Sequence, residues 1–299
     1  MKNLLLTLLF SFFLLNISVA QSCTAPKSKE YLDINNVRAL LTNGGGMWFD
    51  EDSTKGVYGF PLLNINQGLS AGIMISAIST QGNNLHLAAT TYQRGDGDFW
   101  AGPIVSADDF MEYSECELWN RHFKLNKSEI DNFATENFPI NTNNVPLSIK
   151  EWPAKGNQYM IDKGMTLQRD YAPFNDINEN GIYDPQNGDL PLIKGDQAVY
   201  WIINDYEGPF HYDYAGNKIG VEVQIMAYAF QSTALMNTTF YDYKVINRSN
   251  RSYKDLYFSH HVDIDNLDYT DDLLGVDSVN GYVFQYGDNT CDFVPNICN

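Results

Sequence analysis

Proline, glycine, asparagine and aspartate recur every eight to fifteen residues along this chain, and tyrosine, phenylalanine, valine and isoleucine fill the intervals. Turn formers at that spacing leave little room for long helices. Short runs of β-branched and aromatic residues between turns build antiparallel strands instead. The expected fold is therefore mainly β, an antiparallel β-sandwich-like arrangement with one or two short helices. Candidate strands cover residues 71–79, 85–92, 198–204, 219–230, 238–247, 256–265 and 281–286.

In "TTFYDYKVINRS", Tyr241, Tyr243 and Val245 alternate with Asp242, Lys244 and Ile246. The odd positions are the more apolar, which predicts that their face is buried. "NRSNRS" reads as a turn and "LYFSHHVDID" as a returning strand, so the pair is expected to form a hairpin with a longer loop. Helix is expected in "NKSEIDNFATENF", with Asn126 or Ser128 as cap and Ile130, Phe133 and Phe138 as a partial stripe. A second short helix is expected in "DINNVRALLTNGGG", capped by Asp33 and stopped by the glycines at 44–46. "NTNNVPLSIKEWPAKGN" reads as the long loop of the chain.

The first twenty residues, "MKNLLLTLLFSFFLLNISVA", carry Lys2, an apolar run over 4–15 and the small-x-small triplet Ser18-Val19-Ala20. This is the pattern of a cleavable secretory signal. The expected organisation is a signal peptide over 1–20 and a single β-rich domain over 21–299, with an N-terminal lobe over 21–144 as its natural subdivision. Secretion or display at the cell surface follows. No other apolar run is long enough to span a membrane. The 37 acidic residues outweigh 19 lysines and arginines, for a formal charge of −18. Such a surface repels nucleic acid and attracts divalent cations. Cys23, Cys116, Cys291 and Cys298 allow three disulfide connectivities in an oxidising compartment, and no CxxC pair offers a zinc ribbon.

The stretch "DINENGIYDPQNGD", residues 176–189, resembles a calcium loop when set on a template with oxygen ligands at positions 1, 3, 5, 7, 9 and 12 and glycine at 6. Asp176, Asn178, Asn180 and Asp184 fall at 1, 3, 5 and 9, Gly181 falls at 6, and Ile182 would offer its carbonyl at 7. Position 12 is Asn187, where the template asks for a carboxylate, and Asp189, two residues beyond, is the candidate to swing in as the remaining ligand. Pro173, Pro185 and Pro191 exclude helical flanks. The expectation is a static, structural Ca²⁺ clamp between strands. The competing reading is a run of Asx-turns, in which these side chains bond their own backbone. A second acidic group follows, with His261, Asp263 and Asp265 on one strand face and Asp268, Asp271, Asp272 and Asp277 after it. It reads either as a solvated strand end or as a second cation site.

GxSxG, HExxH, Walker A and GxGxxG motifs are absent from the chain. Acids beside aromatics are the remaining route to glycoside hydrolysis. The candidates are Asp98 with Phe99 and Trp100, and Asp205 and Glu207 near Trp201. Most of these aromatics are expected to be core.

Several stretches together resemble a known group of exported proteins: "NNVRALLTNGGGMWFD", "LHLAATTYQRGDGDFWAGP", "CELWNRHFKLNKSEIDNF", "FNDINENGIYDPQNGDLPLIKGDQAVYWIINDYEG", "IGVEVQIMAYAF", "MNTTFYDYKVINRS" and "DIDNLDYTDDLLGVDS". They are similar to the large N-terminal region of Bacteroidota proteins that usually end in a sorting domain of the type IX secretion system. The resemblance implies delivery to the outer surface or the medium, and it carries over a location and not a reaction. Relative to those proteins the chain is expected to be truncated after "GYVFQYGDN", leaving an exposed sheet edge. The functional expectation is a calcium-stabilised binding, adhesion or structural module whose partners are extracellular polysaccharide or surface components. The alternative is a fragment of an extracellular hydrolase acting on glycans.

Overall fold

The computed structural model describes residues 23–63, 65–94, 97–105, 113–206, 216–265 and 272–287. The signal segment, Glu207, Asp268, Asp271, Cys291 and Cys298 lie outside them. The fold is mainly β with antiparallel sheets, and only 12% of it is helix.

The strands in the first half are β1 (Lys29–Leu32), β2 (Arg38–Thr42), β3 (Phe49–Asp50), β4 (Lys55–Gly56), β5 (Tyr58–Phe60), β6 (Ile65–Ser79), β7 (Leu85–Ala89), β8 (Trp100–Ala101) and β9 (Phe123–Asn126). Those in the second half are β10 (Phe174–Asn175), β11 (Leu190–Pro191), β12 (Gln197–Asn204), β13 (Val221–Ala229), β14 (Thr239–Asn247), β15 (Tyr253–Ile264), β16 (Asp272–Asp277) and β17 (Tyr282–Gly287). The first sheet runs β1-β2-β5-β6-β15, with β7 also on β6. The second runs β14-β13-β12-β8, with β9 also on β12. Each sheet turns an apolar face to the other. Leu41, Ala71, Ile73 and Ile75 of the first meet Val199, Trp201, Val223 and Ile225 of the second in one buried core.

A third layer covers the outer face of the second sheet. It holds α1 (Tyr113–Trp119), α2 (Lys127–Phe133), α3 (Leu147–Lys150) and α4 (Gln158–Ile161). Trp119, Phe133, Ile149 and Trp152 pack there against Ala198, Tyr200, Ile202 and Met226. Burial on both faces explains why β12, "QAVYWIIN", is apolar nearly throughout and not alternating, and every residue of it is buried.

Three expectations need correction. Residues 38–42 form β2, not a helix. Asp33, the expected cap, instead accepts from Lys124 Nζ at 2.9 Å, and Asn35 and Asn36 bond across the molecule to Leu235, Thr238 and Asn237. Pairing with β1 and β5 overrides the helix preference of Arg38, Ala39, Leu40 and Leu41, in a run too short to hold a helix by itself. Gly45, at φ +89°, turns the chain back behind it. The stretch 141–157 is not a loose loop. It contains α3 and buries Ile149, Trp152 and Ala154, and Asn157 ties it together by donating to the carbonyls of Lys150 and Trp152.

The third correction concerns β14 and β15, which are not a hairpin. β14 pairs with β13 and β15 pairs with β6, so the turn at 248–252 carries the chain from one sheet to the other. A hairpin would set both apolar faces side by side in one sheet. The crossover points them at each other, with the rings of Tyr243 and Phe258 5.4 Å apart. The predicted inward face of β14 is observed at Tyr241 and Tyr243, which pack on the core. Val245, nearer the open end, stays 37% exposed.

β14 and β15 each have a free edge among the described residues. The β16–β17 hairpin beyond them carries Leu274, Val276 and Val283 on one face, each about two-thirds exposed or more.

Candidate functional site

Residues 176–189 link β10 to β11 on the rim of the third layer. Asp176 organises the first turn. One of its oxygens accepts the Asn180 N–H at 3.1 Å and the other the Gly181 N–H at 2.7 Å. Gly181 makes the reversal at φ +80°, a conformation that L side chains rarely adopt. Asn178 accepts from the Asn180 N–H at 3.1 Å, and Asn180 accepts from the Ile182 N–H at 2.9 Å. These are the Asx-turns that the competing reading calls for.

The same side chains also converge. Asn178 and Asn180 turn their Nδ2 groups to the two oxygens of Asp184, at 3.0 and 2.9 Å, and Asn187 adds a third donor at 2.8 Å. Positions 1, 3, 5 and 9 thus belong to one hydrogen-bonded group. A half-turn of either amide would present its oxygen in place of its nitrogen. Ile182 is exposed, and its carbonyl accepts no hydrogen bond among the described residues.

Asp189 is fully buried. One oxygen accepts the Ile177 N–H at 2.8 Å and the other the Asp184 N–H at 2.9 Å, so the side chain straps the start of the loop to its end. Burial, opposed by these two donors, holds its carboxyl above the ordinary value. Tyr183 anchors the loop from below: its hydroxyl donates to the Ile149 carbonyl at 2.7 Å and its ring is buried in the core. Among the described residues no three His, Cys, Asp or Glu side chains gather to hold a metal by themselves. A cation here would need amide and backbone oxygens as well.

The second acidic group is less coherent. His261 and Asp263 share the face of β15 that meets Tyr92, whose hydroxyl donates to Asp263. That hydrogen bond and partial burial raise the Tyr92 hydroxyl to about 12. A register shift between Asp263 and Ile264 interrupts the alternation before Asp265. Asp277 accepts the N–H groups of Val279 and Asn280 and serves as the turn residue of the β16–β17 hairpin.

The acid–aromatic candidates among the described residues are internal, and Glu207 lies outside those residues. Phe99, Trp100 and Trp201 are buried, as expected of most of these aromatics. Asp98 is buried and accepts the Ala89 N–H. Asp205 is fully buried and accepts the N–H groups of Ile219, Gly220 and Val221, at 2.5, 2.8 and 2.7 Å. It pins the entry of β13 to the end of β12.

Two internal groups stand apart from any motif. Glu222 on β13 is fully buried and is bound by Arg248 through Nε at 3.1 Å and NH2 at 2.9 Å. His122 is buried against Trp201, with Nδ1 3.0 Å from the Ser28 hydroxyl. Burial pushes His122 down to about 3, far below its ordinary 6.5.

The His122 shift has a definite sign. A histidine whose folded pKa is depressed binds its proton in the unfolded chain first. Its contribution is complete above pH 6.5 and is lost as pH falls from 6.5 towards 3. Between pH 7 and pH 5 that loss is about 2 kcal/mol. Urea denaturation of wild type and His122→Gln at both pH values is expected to show that the substitution removes about this much of the difference. An unchanged difference would sink the assignment.

Comparison with protein-family models, with curated proteins and with solved structures finds no match to this chain.

Proposed function

We propose that the protein is an exported, acidic β-sandwich module with a binding or structural role at the cell surface, stabilised by calcium in the loop 176–189. Two features support its location. Cys23 and Cys116 form a disulfide, which persists in an oxidising compartment. Among the described residues no helix is long and apolar enough to cross a membrane. The resemblance to exported Bacteroidota proteins points the same way.

The observation that carries binding over hydrolysis is the burial of Asp98 and Asp205, each bonded by backbone N–H groups. A general acid or nucleophile must reach the glycosidic bond, and both of these carboxylates are enclosed. The apolar, uncovered face of the β16–β17 hairpin supports an interaction role, since exposed patches of that kind mark contact surfaces. The partners in this reading are extracellular polysaccharide or surface components.

For calcium, Asp176, Asn178, Asn180 and Asp184 with the Ile182 carbonyl form the ligand set, and Asp189 holds the ends of the loop together. Two carboxylates with amide and carbonyl oxygens suit a weak site of the extracellular kind, with Kd of about 10⁻⁴ to 10⁻³ M. At 10 mM calcium such a site adds about 2 kcal/mol of stability. Thermal denaturation in 10 mM calcium against EDTA is therefore expected to show a rise of about 4 °C. Asp184→Ala should abolish the rise. An equal Tm in calcium and EDTA, with no heat in a calorimetric titration, would leave the loop a set of Asx-turns.

A further inference from the structure

A groove of about 360 Å³ lies between the third layer and the outer face of the second sheet. β14 pairs with β13 there, and its even positions Asp242 and Lys244 face outward while Tyr241 and Tyr243 pack on the inner core. Among the described residues the core under the third layer takes in Tyr200 of β12 and Met226 of β13 and no residue of β14. The groove sits at that step. Its opposite wall is formed by Tyr171, Pro173 and Lys194, and the Leu192 N–H fixes it by donating to the Pro173 carbonyl at 3.0 Å.

The floor is apolar, made of the rings of Tyr171 and Tyr200 with Met226 and Pro173. One polar atom in it has no partner. Tyr200 is 2% exposed, and its hydroxyl makes no hydrogen bond among the described residues. Burial, with the charge of Glu222, holds that hydroxyl well above its ordinary value, so it is a neutral donor. An unpaired buried hydroxyl is unfavourable, and an acceptor on a ligand would relieve it. Gln224 is also buried. Its Nε2 donates to the Asp170 carbonyl at 3.2 Å and to Glu222 at 2.9 Å, which leaves its Oε1 to accept. At the rim Lys194 pairs with Asp242, and the exposed Lys244 adds a further donor.

Donors and acceptors therefore surround an apolar floor, and that mixture selects among ligands. A purely apolar molecule would leave the Tyr200 hydroxyl unpaired. A simple anion has no proton to give to Gln224 or Asp242. Hydroxyl groups both donate and accept, and a pyranose ring carries them on its edge while its C–H face is apolar. A mostly apolar lining with a few placed polar groups is the usual composition of a small-molecule site, and the volume lies at the small end of the range for such sites.

We propose that this groove binds a neutral pyranose unit of an extracellular polysaccharide, with the Tyr200 hydroxyl donating to the sugar and Gln224 Oε1 and Asp242 accepting from it. The inference rests on the binding-module reading above and gives that reading a place and a ligand class.

Calorimetric titration of the full chain with cellohexaose, with mannohexaose and with oligogalacturonate tests it. At least one of the two neutral sugars is expected to bind, and more tightly than oligogalacturonate. Tyr200→Phe should weaken that binding about fivefold, the worth of one hydrogen bond. It should not lower Tm, because the hydroxyl it removes has no partner in the fold. Asp242→Ala removes an acceptor at the rim and should weaken binding by a similar factor, with Tm nearly unchanged because the ion pair it breaks is exposed. Full affinity in both variants would overturn the location and leave the binding module standing. Oligogalacturonate bound as tightly as the neutral sugars would overturn the neutral assignment, again with the module standing. No binding of any of the three would overturn both.

Discussion

Arg248→Leu is expected to cost about 3–5 kcal/mol, the largest loss from any single side chain considered for this protein. Glu222 is wholly buried, and four donors hold its carboxylate. Arg248 supplies two, Gln224 donates to one oxygen at 2.9 Å, and the Ile104 N–H reaches the other at 3.3 Å. Removal of the arginine leaves an uncompensated charge at a buried position, and the two remaining donors do not replace it. The hydrogen bonds to Glu222 raise the Arg248 guanidinium above its ordinary value, in keeping with a charged pair in the folded state. Urea denaturation of Arg248→Leu and of Glu222→Leu/Arg248→Leu separates the cost of breaking the pair from the worth of having it. The double variant is expected to recover most of the loss, because a buried ion pair replaced by apolar side chains of similar size is often neutral. A loss below about 1 kcal/mol in the single variant would show that Glu222 is not a buried anion, since breaking such a pair costs far more.

The Cys23→Ser/Cys116→Ser double variant is expected to lose about 4 kcal/mol, the second large effect. The bond closes a loop between residues 93 positions apart, and the unfolded chain gains the corresponding freedom when it is absent. The local contacts of the segment are modest replacements. Thr24 donates to Glu117, and Asn120 donates to Thr24 at 3.1 Å and to the Ala25 carbonyl at 3.3 Å. Wild type and variant should show similar denaturant slopes in the folded baseline and a clearly lower midpoint for the variant. Equal midpoints, with the bond verified in the wild type by mass, would show that these local contacts suffice.

Much of the secondary structure was legible because its causes are local. β12, β13 and β14 lie within two residues of the runs 198–204, 219–230 and 238–247, and α2 lies in the expected segment with Ile130 and Phe133 buried. Alternation and turn residues act over a few positions, so a strand announces itself. Its partner does not. The β14–β15 hairpin failed because a strand's period is the same whichever neighbour bonds to it. Residues 38–42 failed because pairing with β1 and β5 overrides the local helix preference of Arg38, Ala39, Leu40 and Leu41. The Asx loop was legible as a pattern, and Asp176, Asn178, Asn180 and Asp184 meet there in one hydrogen-bonded group. Asp189 was legible only as an acid near position 12. Its role as a strap between Ile177 and Asp184 depends on how the loop winds.

By itself, then, the amino-acid order determined a β-rich chain of antiparallel strands, the convergence of an Asx loop and a strongly acidic surface. Each follows from short-range spacing or from simple charge. The tertiary structure alone decided what each acid is for. Asp205 and Glu222 both lie in or beside apolar strands, and nothing local tells them apart from an exposed carboxylate. Chain pairing brings three backbone N–H groups to the first and an arginine 26 residues away to the second. Long-range contact sets the desolvation and the partners of a charge, and those determine whether it supports the fold or meets a ligand.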